Sequence, residues 1–336
     1  MDMPASLDRP PIIAFMSSVS ARTQFILENR AYIETLPFEG MAINIPASWN
    51  AMTPGMALTE AEVREWLLPL SDFNFGKFNY LLIENDKPGD LFDNAAWSKA
   101  TENWRILAKV AAETGFRGIL FDNEEYQIHW DNFPDDVAPD GVFRGVAAYQ
   151  AQAQLRGQQI MQAVVSVFPA AQVAVAHGPY LSTPRGDGAP PSIQLQAGDW
   201  QDQELSGPFF TGLLAGATPA MTVIDAGELY ALRSDADFAQ SYAYRNRLGA
   251  TIAWPTDPDI VKDWSERVDV GHMIYTDTYP PGFPQTPEIL SATLRNALAH
   301  SKGAVFIFTE EDHADFFTPS ANAKDWIAAI ASVAAR

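Results

Sequence analysis

The stretch GFRGILFDNEE, residues 115–125, begins as a buried β-strand and ends in a group of carboxylates. An apolar run closes at Phe121, and Asp122, Glu124 and Glu125 follow it. A strand that is apolar on both faces is typical of a parallel sheet covered by helices. In barrels built from such strands, polar side chains collect at the carboxyl ends, where ligands bind. The stretch therefore predicts an interior parallel strand whose tip faces a functional site.

Seven other segments repeat this pattern of an apolar run with a polar tip, and helical periodicity separates them. The eight predicted strands are 11–18, 38–45, 78–85, 115–125, 171–178, 220–227, 270–277 and 303–310. Eight alternations of strand and helix predict an α/β fold, a (β/α)8 TIM barrel. An open doubly wound sheet is the alternative, but no G-x-G-x-x-G motif follows the first strand to support it.

The chain has 336 residues, a length that such barrels reach as one unit, so we expect a single domain over 1–336. Two connections are much longer than the others, at about 127–141 and 179–203. Long loops in a compact domain usually carry function. We therefore expect both loops to border the site.

The composition limits the classes of molecule that this chain is expected to bind. The net charge is −20, which repels phosphate backbones and anionic lipid, so neither nucleic acid nor a membrane is an expected partner. The chain has no cysteine, which removes disulfides, thiolate nucleophiles and cysteine-ligated metals. The first residues show no signal peptide, so a periplasmic or secreted protein with its signal removed and a cytoplasmic protein are both open. The oligomeric state is open as well.

The predicted strand tips carry a ring of polar groups rather than single helix caps. Side chains alternate along a strand, so Leu120, Asp122 and Glu124 share one face, which we expect to line the barrel interior. Two carboxylates in a confined mouth raise the pKa of at least one of them, as a general acid near neutral pH requires. A salt bridge from Asp122 to Arg117 or Arg144 is the structural alternative.

The segment FRGILFDNE resembles the fourth-strand signature of the family 18 chitinases, in which Asp-x-x-Asp-x-Asp-x-Glu ends on the catalytic acid. The positions that fit are Phe116, Gly118, Ile119, Asp122 and Glu124. Arg117 and Leu120 stand where that family has its first two Asp residues. The resemblance implies Glu124 as the proton donor and Asp122 as its neighbour. More broadly, the chain resembles the (β/α)8 glycoside hydrolases.

That class needs a second carboxylate across the cleft. The sixth tip, TVIDAGELYAL, offers Asp225 and Glu228. We favour Glu228 as the partner, because Gly227 allows a sharp turn that aims it into the mouth. Asp225 is then expected to bind or orient a sugar hydroxyl. A helix cap with an acidic first turn is the structural alternative for this segment.

The sequence thus predicts a glycoside hydrolase that cleaves an oligo- or polysaccharide in an acidic, aromatic-lined cleft without a cofactor or metal. A retaining mechanism is favoured, and an inverting one stays open. The predicted catalytic residues are Glu124, Glu228 and Asp122. The predicted substrate-binding residues are Asn44, Glu84, Tyr126, His177, Tyr180, Asp225, Tyr275, Asp277 and Glu310. Two alternatives stay open: a carbohydrate-binding barrel without turnover, and a lyase or isomerase that depends on Mg²⁺ or Ca²⁺. The ligands of that ion would be Glu84, Asp122, Asp277 and Glu310.

Overall fold

The computed structural model describes residues 9–16, 23–73, 78–84, 89–124, 142, 144–182, 205–252, 254–277, 282–309, 316–319 and 321–335. The strands in this part of the chain are β1 Ile12–Met16, β2 Gly40–Ile43, β3 Tyr80–Glu84, β4 Gly118–Asp122, β5 Gln172–Val175, β6 Thr222–Asp225, β7 Val268–Val270, β8 His272–Tyr275 and β9 Val305–Thr309. The α-helices are α1 Thr23–Glu28, α2 Arg30–Ile33, α3 Pro46–Trp49, α4 Glu60–Leu67, α5 Asn94–Thr114, α6 Val146–Val167, α7 Ser206–Gly216, α8 Asp235–Arg245, α9 Pro258–Lys262, α10 Trp264–Arg267, α11 Pro287–Ala299 and α12 Ala321–Ala334.

The strands form one sheet in the order β7-β6-β5-β4-β3-β2-β1-β9-β8, and every pair is parallel. The ends of this order, β7 and β8, are joined through Gly271 alone, and Glu228 forms a further parallel bridge to Met273. The sheet is therefore a nearly closed barrel surrounded by helices. This confirms the predicted (β/α)8 fold.

The predicted strand 270–277 differs from the structure, which divides this part of the barrel at Gly271. β7 pairs with β6, whereas β8 pairs with β9. The backbone passes close to its neighbours here: the Gly271 N–H donates to the Asp225 carbonyl at 2.8 Å, and a Cβ on Gly271 would lie 2.7 Å from the Ala304 carbonyl oxygen. Only glycine fits this approach. The predicted loop 127–141 lies outside the described residues. The same is true of the predicted loop 179–203 beyond Ser182.

Helix α5 shows how the sequence places β4. Asp93 begins the helix, because its carboxylate accepts the N–H groups of Ala95 and Ala96 at 2.9 and 3.0 Å. The buried face of the helix, which includes Trp104, packs against the outer side of the sheet, where its ring lies 5.1 Å from that of Phe121. No helix in the described part of the chain is long and apolar enough to cross a membrane.

The buried side chains form two layers that follow strand alternation. Ile119 and Phe121 belong to the layer between sheet and helices, whereas Leu120 belongs to a cluster inside the barrel. Members of the interior cluster include Ile13, Phe15, Ala42, Tyr80, Leu82, Ala174, Ile224, Met273 and Phe306. The interior face of β4 is thus the one that the sequence predicts, and Asp122 continues it.

Candidate active site

Three buried side chains from neighbouring strand tips meet above the interior cluster. Glu124 follows β4, His177 follows β5 and Glu228 follows β6, and these strands pair in parallel register. The Nε2 atom of His177 lies 3.0 Å from Oε1 of Glu124 and 3.3 Å from Oε2 of Glu228. One carboxylate oxygen of Glu124 lies within 4.8 Å of one carboxylate oxygen of Glu228. We refer to Glu124, His177 and Glu228 as the carboxylate–imidazole trio.

The backbone of His177 is fixed by a side chain from β4's end. The Asn123 amide accepts the His177 N–H at 2.8 Å and donates to the His177 carbonyl at 2.9 Å. On the far side of the ring, Nδ1 lies 3.3 Å from the Tyr180 hydroxyl. His177 and Tyr180, both predicted as substrate ligands, are therefore linked to the predicted catalytic pair rather than separate from it.

Glu228 reaches the trio through the turn predicted at Gly227. Gly227 has a φ of +61°, a left-handed conformation that favours glycine. The Glu228 N–H donates to the Ala176 carbonyl at 3.1 Å, which ties the turn to the end of β5. The Tyr230 hydroxyl donates to Glu228 Oε1 at 2.5 Å. Tyr230 is not among the predicted catalytic or substrate-binding residues, although the sixth tip, TVIDAGELYAL, carries it two residues after Glu228.

Tyr230 belongs to a group of aromatic rings at the mouth of the barrel. Its ring centroid lies 4.9 Å from that of Tyr275 and 6.1 Å from that of Phe308. Phe308 in turn lies 4.9 Å from Phe15 across the β1–β9 pair. These rings place an apolar wall beside the carboxylates, of the kind that packs against the C–H faces of a sugar.

Burial is the main influence on the titration of the site. Burial raises the pKa of Asp122 to about 7, and the charge of Glu228 adds to this rise. Burial, followed by the charge of Glu124, raises the pKa of Glu228 to about 7. The pKa of Glu124 is raised by burial too, although its hydrogen bond with His177 opposes the rise. The expected rise is present, but burial rather than repulsion between Asp122 and Glu124 is its first cause.

The pKa of His177 reflects both its burial and its neighbours. Burial alone would lower the pKa of its imidazole, but the charges of Glu228 and Glu124 outweigh burial and raise the pKa to about 9. Asp122 Oδ1 accepts the backbone N–H of Glu124 at 3.1 Å, and the charged groups that act on Asp122 are Glu228 and His177. Asp122 thus braces Glu124, and the salt bridge to Arg117 or Arg144 is not among the interactions that shift its pKa.

Asp225 lies behind the site rather than in its mouth. Strand alternation places Ile224 inside the barrel and Asp225 on the outer face, where its side chain is 0% exposed. Arg245, at the end of α8, donates to Oδ2 at 2.9 Å through Nε and to Oδ1 at 2.7 Å through Nη2. Both carboxylate oxygens are therefore engaged, which disfavours the predicted role of Asp225 as a sugar ligand.

The other predicted substrate ligands differ in burial and in their position at the strand tips. Asn44 is fully buried, and neither its amide nitrogen nor its amide oxygen has a hydrogen-bond partner. Glu84 pairs in register with Asp122, so the two lie side by side at the tips of β3 and β4. Asp277 follows β8, two residues beyond Tyr275. Tyr126 and Glu310 lie outside the described residues.

The carboxylate–imidazole trio is also the set of described side chains whose geometry could hold a metal ion, because one ligand atom from each lies within 4.8 Å of the others. This set differs from the predicted one of Glu84, Asp122, Asp277 and Glu310. A histidine between two glutamates from different strands has no signature in the sequence, because only the fold brings the three together.

Comparison with known proteins finds similarity in structure alone: no family model and no curated protein sequence matches the chain. A GH18 chitinase from Pseudoalteromonas aurantia is similar at 13% identity and a TM-score of 0.46, over 96% of this chain and 99% of that one. A β-mannanase from the blue mussel Mytilus edulis is similar at 9% identity and a TM-score of 0.48, over 96% and 92% of the two chains. A 3-keto-D-glucoside 4-epimerase from E. coli is similar at 11% identity and a TM-score of 0.47, over 96% and 99%. Similarity at this level says nothing about the activity of this chain.

Proposed function

We propose that this chain is a glycoside hydrolase in which Glu124 is the general acid and Glu228 is its partner carboxylate. The observation that carries the proposal is the approach of these two side chains from the tips of β4 and β6 to within 4.8 Å, on either side of His177. Two carboxylates held close together are what the cleavage of a glycosidic bond needs.

The short separation favours a retaining mechanism. Carboxyl groups lie about 5–5.5 Å apart in retaining enzymes and about 6.5–9.5 Å apart in inverting ones, which hold a water between them. One carboxylate oxygen of Glu124 and one of Glu228 lie within 4.8 Å of each other, which is nearer to the retaining range than to the inverting one. In the proposed reaction Glu124 donates its proton to the glycosidic oxygen while Glu228 attacks the anomeric carbon, and Glu124 then takes a proton from the water that releases the sugar.

The contacts of the two glutamates support this division of roles. Glu228 accepts the Tyr230 hydroxyl at one oxygen and lies near the His177 ring at the other, and both donors favour the ionised form that a nucleophile needs. Burial raises the pKa of Glu124 as well as that of Glu228, and a raised pKa favours the protonated form that a general acid needs. Asp122 holds the backbone of Glu124 through a hydrogen bond and is proposed as its positioning partner.

The proposed substrate is an oligo- or polysaccharide. Tyr275, beside Tyr230, offers a ring face at the mouth, and Asn44 offers an amide with unused donors and an unused acceptor. A sugar hydroxyl both donates and accepts hydrogen bonds, so it can satisfy such an amide. The remaining proposed ligands are Glu84, Tyr126, Tyr180, Asp277 and Glu310. His177, in contrast, is proposed to orient the two glutamates rather than the sugar.

The first test uses a panel of dinitrophenyl glycosides that differ in sugar and anomer. For a substrate that the wild type hydrolyses, Glu124→Gln should keep fast release of this good leaving group relative to a natural glycan, whose hydrolysis it should abolish. Glu228→Gly should be inactive and regain turnover with azide, forming a glycosyl azide of inverted configuration. The matched control is Glu113→Gln, which removes a surface carboxylate paired with Arg64 at 2.7 Å and should leave activity unchanged.

Two outcomes would contradict the proposal. Near-wild-type hydrolysis of a glycan by Glu124→Gln would remove Glu124 as the acid. An inverted product from the wild type, together with no azide rescue of Glu228→Gly, would exclude the retaining mechanism. Failure of the wild type on every glycan and glycoside would favour a carbohydrate-binding barrel without turnover.

A further inference from the structure

We infer that the carboxylate–imidazole trio also binds one divalent transition-metal ion, of the Zn²⁺ or Co²⁺ kind, and that the bound ion blocks the proposed hydrolysis. The metal site itself depends only on the geometry of Glu124, His177 and Glu228. The predicted inhibition rests in addition on the proposed function, because it assumes that the two glutamates must be free to transfer a proton and to attack carbon.

The distances within the trio fit the edges of a coordination polyhedron. Ligand atoms that lie about 2.0–2.2 Å from zinc, at tetrahedral or octahedral angles, are separated from each other by about 2.9–3.5 Å. The two distances from His177 Nε2 to the glutamate oxygens, 3.0 and 3.3 Å, fall in this range. The third edge, between Glu124 and Glu228, is within 4.8 Å and shortens by rotation of a terminal carboxylate, a torsion with a broad minimum.

The donor set selects the kind of metal. One imidazole with two carboxylates suits zinc, cobalt or manganese, whereas calcium and magnesium prefer oxygen ligands alone. Three protein ligands leave a coordination position open for water, as in catalytic zinc sites. Asp122, whose Oδ1 accepts the backbone N–H of Glu124 at 3.1 Å, adds a third carboxyl group beside the trio.

Neighbouring side chains support the ligands in the manner that metal sites require. His177 Nδ1 lies 3.3 Å from the Tyr180 hydroxyl, which orients the ring with Nε2 towards the two glutamates, so a bound ion would replace the proton on Nε2. The Tyr230 hydroxyl holds one oxygen of Glu228 and leaves the other directed to His177. Asn123 fixes the histidine backbone on both sides. Glu124 is supported as well, because its backbone N–H donates to Asp122 Oδ1 at 3.1 Å.

The experiment titrates the chelator-treated full chain with CoCl₂, followed by visible absorption, and with ZnCl₂, followed by calorimetry. We expect one ion per chain and an absorption band of bound cobalt. His177→Gln and Glu228→Gln should each raise the dissociation constant by at least about 100-fold, since loss of groups that only support a ligand already costs about 10–100-fold. Thermal unfolding without metal shows whether each variant is folded, and Glu124→Gln serves as a third variant.

The matched control is His300→Gln. His300 Nε2 lies 2.8 Å from Asp235 Oδ1, so it also forms an imidazole–carboxylate pair, but this pair is near the surface and has one carboxylate. Metal affinity should be the same in this variant as in the wild type. Absence of saturable binding in the wild type, or equal affinity in His177→Gln and the wild type, would overturn the inference while the hydrolase proposal stands on its own tests.

Measurements of activity with and without metal distinguish the proposed metal site from the proposed function. If Zn²⁺ abolishes hydrolysis of a glycan and EDTA restores it, both the site and the metal-free mechanism are supported. If EDTA abolishes turnover and Zn²⁺, Co²⁺ or Mn²⁺ restores it, the site is supported, but the acid–nucleophile roles of Glu124 and Glu228 are wrong. The metal-dependent lyase or isomerase would then be the better assignment.

Discussion

The role of Asp225 can be decided by removing its charge. In Asp225→Asn the Arg245 guanidinium, which is 0% exposed, keeps its place but loses the anion that binds it through two hydrogen bonds. Removal of one partner from a buried ion pair costs about 3–5 kcal/mol, because the remaining charge is left uncompensated. That is a large part of the roughly 5–15 kcal/mol by which domains are stable. We expect a loss of about this size in the free energy of unfolding.

Urea unfolding of the wild type and Asp225→Asn measures this loss, and Asp269→Asn is the matched control. Asp269 pairs with Lys302 at 2.6 Å, but the two side chains are 18% and 51% exposed, so the control should lose less than about 1 kcal/mol. A sugar ligand would behave in the opposite way. If Asp225→Asn is as stable as Asp269→Asn and mainly raises KM, then the carboxylate binds substrate and its ion pair with Arg245 is not a structural element.

Two further predictions concern the trio. Tyr230→Phe removes the hydroxyl group that donates a hydrogen bond to Glu228. Because a hydrogen bond to a charged group contributes about 1.5–3 kcal/mol, kcat should fall by about 10–100-fold with little change in KM. The control is Tyr149→Phe in the outer layer, which should have the kcat of the wild type. The second prediction concerns pH. Burial raises the pKa of Asp122 and of Glu228 to about 7 in the folded chain, above their ordinary values of 3.8 and 4.5. The folded chain therefore holds these protons more tightly than the unfolded chain, so the two groups contribute to stability at acid pH and this contribution is lost as pH rises towards 7. Urea unfolding at several pH values should show this decline, and Glu228→Gln should make it shallower by up to about 1.4 kcal/mol per pH unit; an unchanged slope in that variant would contradict the raised pKa.

The sequence was sufficient to predict the barrel, because its strands are nearly continuous in apolar residues. Each predicted segment contains a described strand, and the alternation along β4 placed Leu120 inside and Phe121 outside, as found. The break at Gly271 was not predictable, because it depends on where β6 and β9 run beside that strand. A repeat of apolar runs indicates the number of strands but not the position at which one strand changes partners.

The same alternation, applied to β6, predicts the side of the sheet on which Asp225 lies. Ile224 and Ala226 belong to the interior cluster, so Asp225 between them falls on the outer face. His177 could not be found in this way. Ala174 and Ala176 face inward, which predicts an outward His177, yet the strand ends at Val175 and the chain turns before the histidine. Alternation holds only where the backbone is extended.

The Asp225–Arg245 ion pair lies behind the two turns that carry His177 and Glu228 to the trio. A Cβ on Gly178, next to His177, would lie 2.2 Å from the Asp225 carboxylate, and a Cβ on Gly227, before Glu228, would lie 2.2 Å from the Arg245 guanidinium. The two glycines thus let both turns pack directly on the buried ion pair, which supports the imidazole and one carboxylate of the trio from behind. Loss of the pair should therefore move His177 and Glu228 relative to Glu124. For this reason we expect Asp225→Asn, at a temperature where it is folded, to lose kcat rather than substrate affinity, since a shift of about 1 Å in a reacting group can cost on the order of 100-fold in rate.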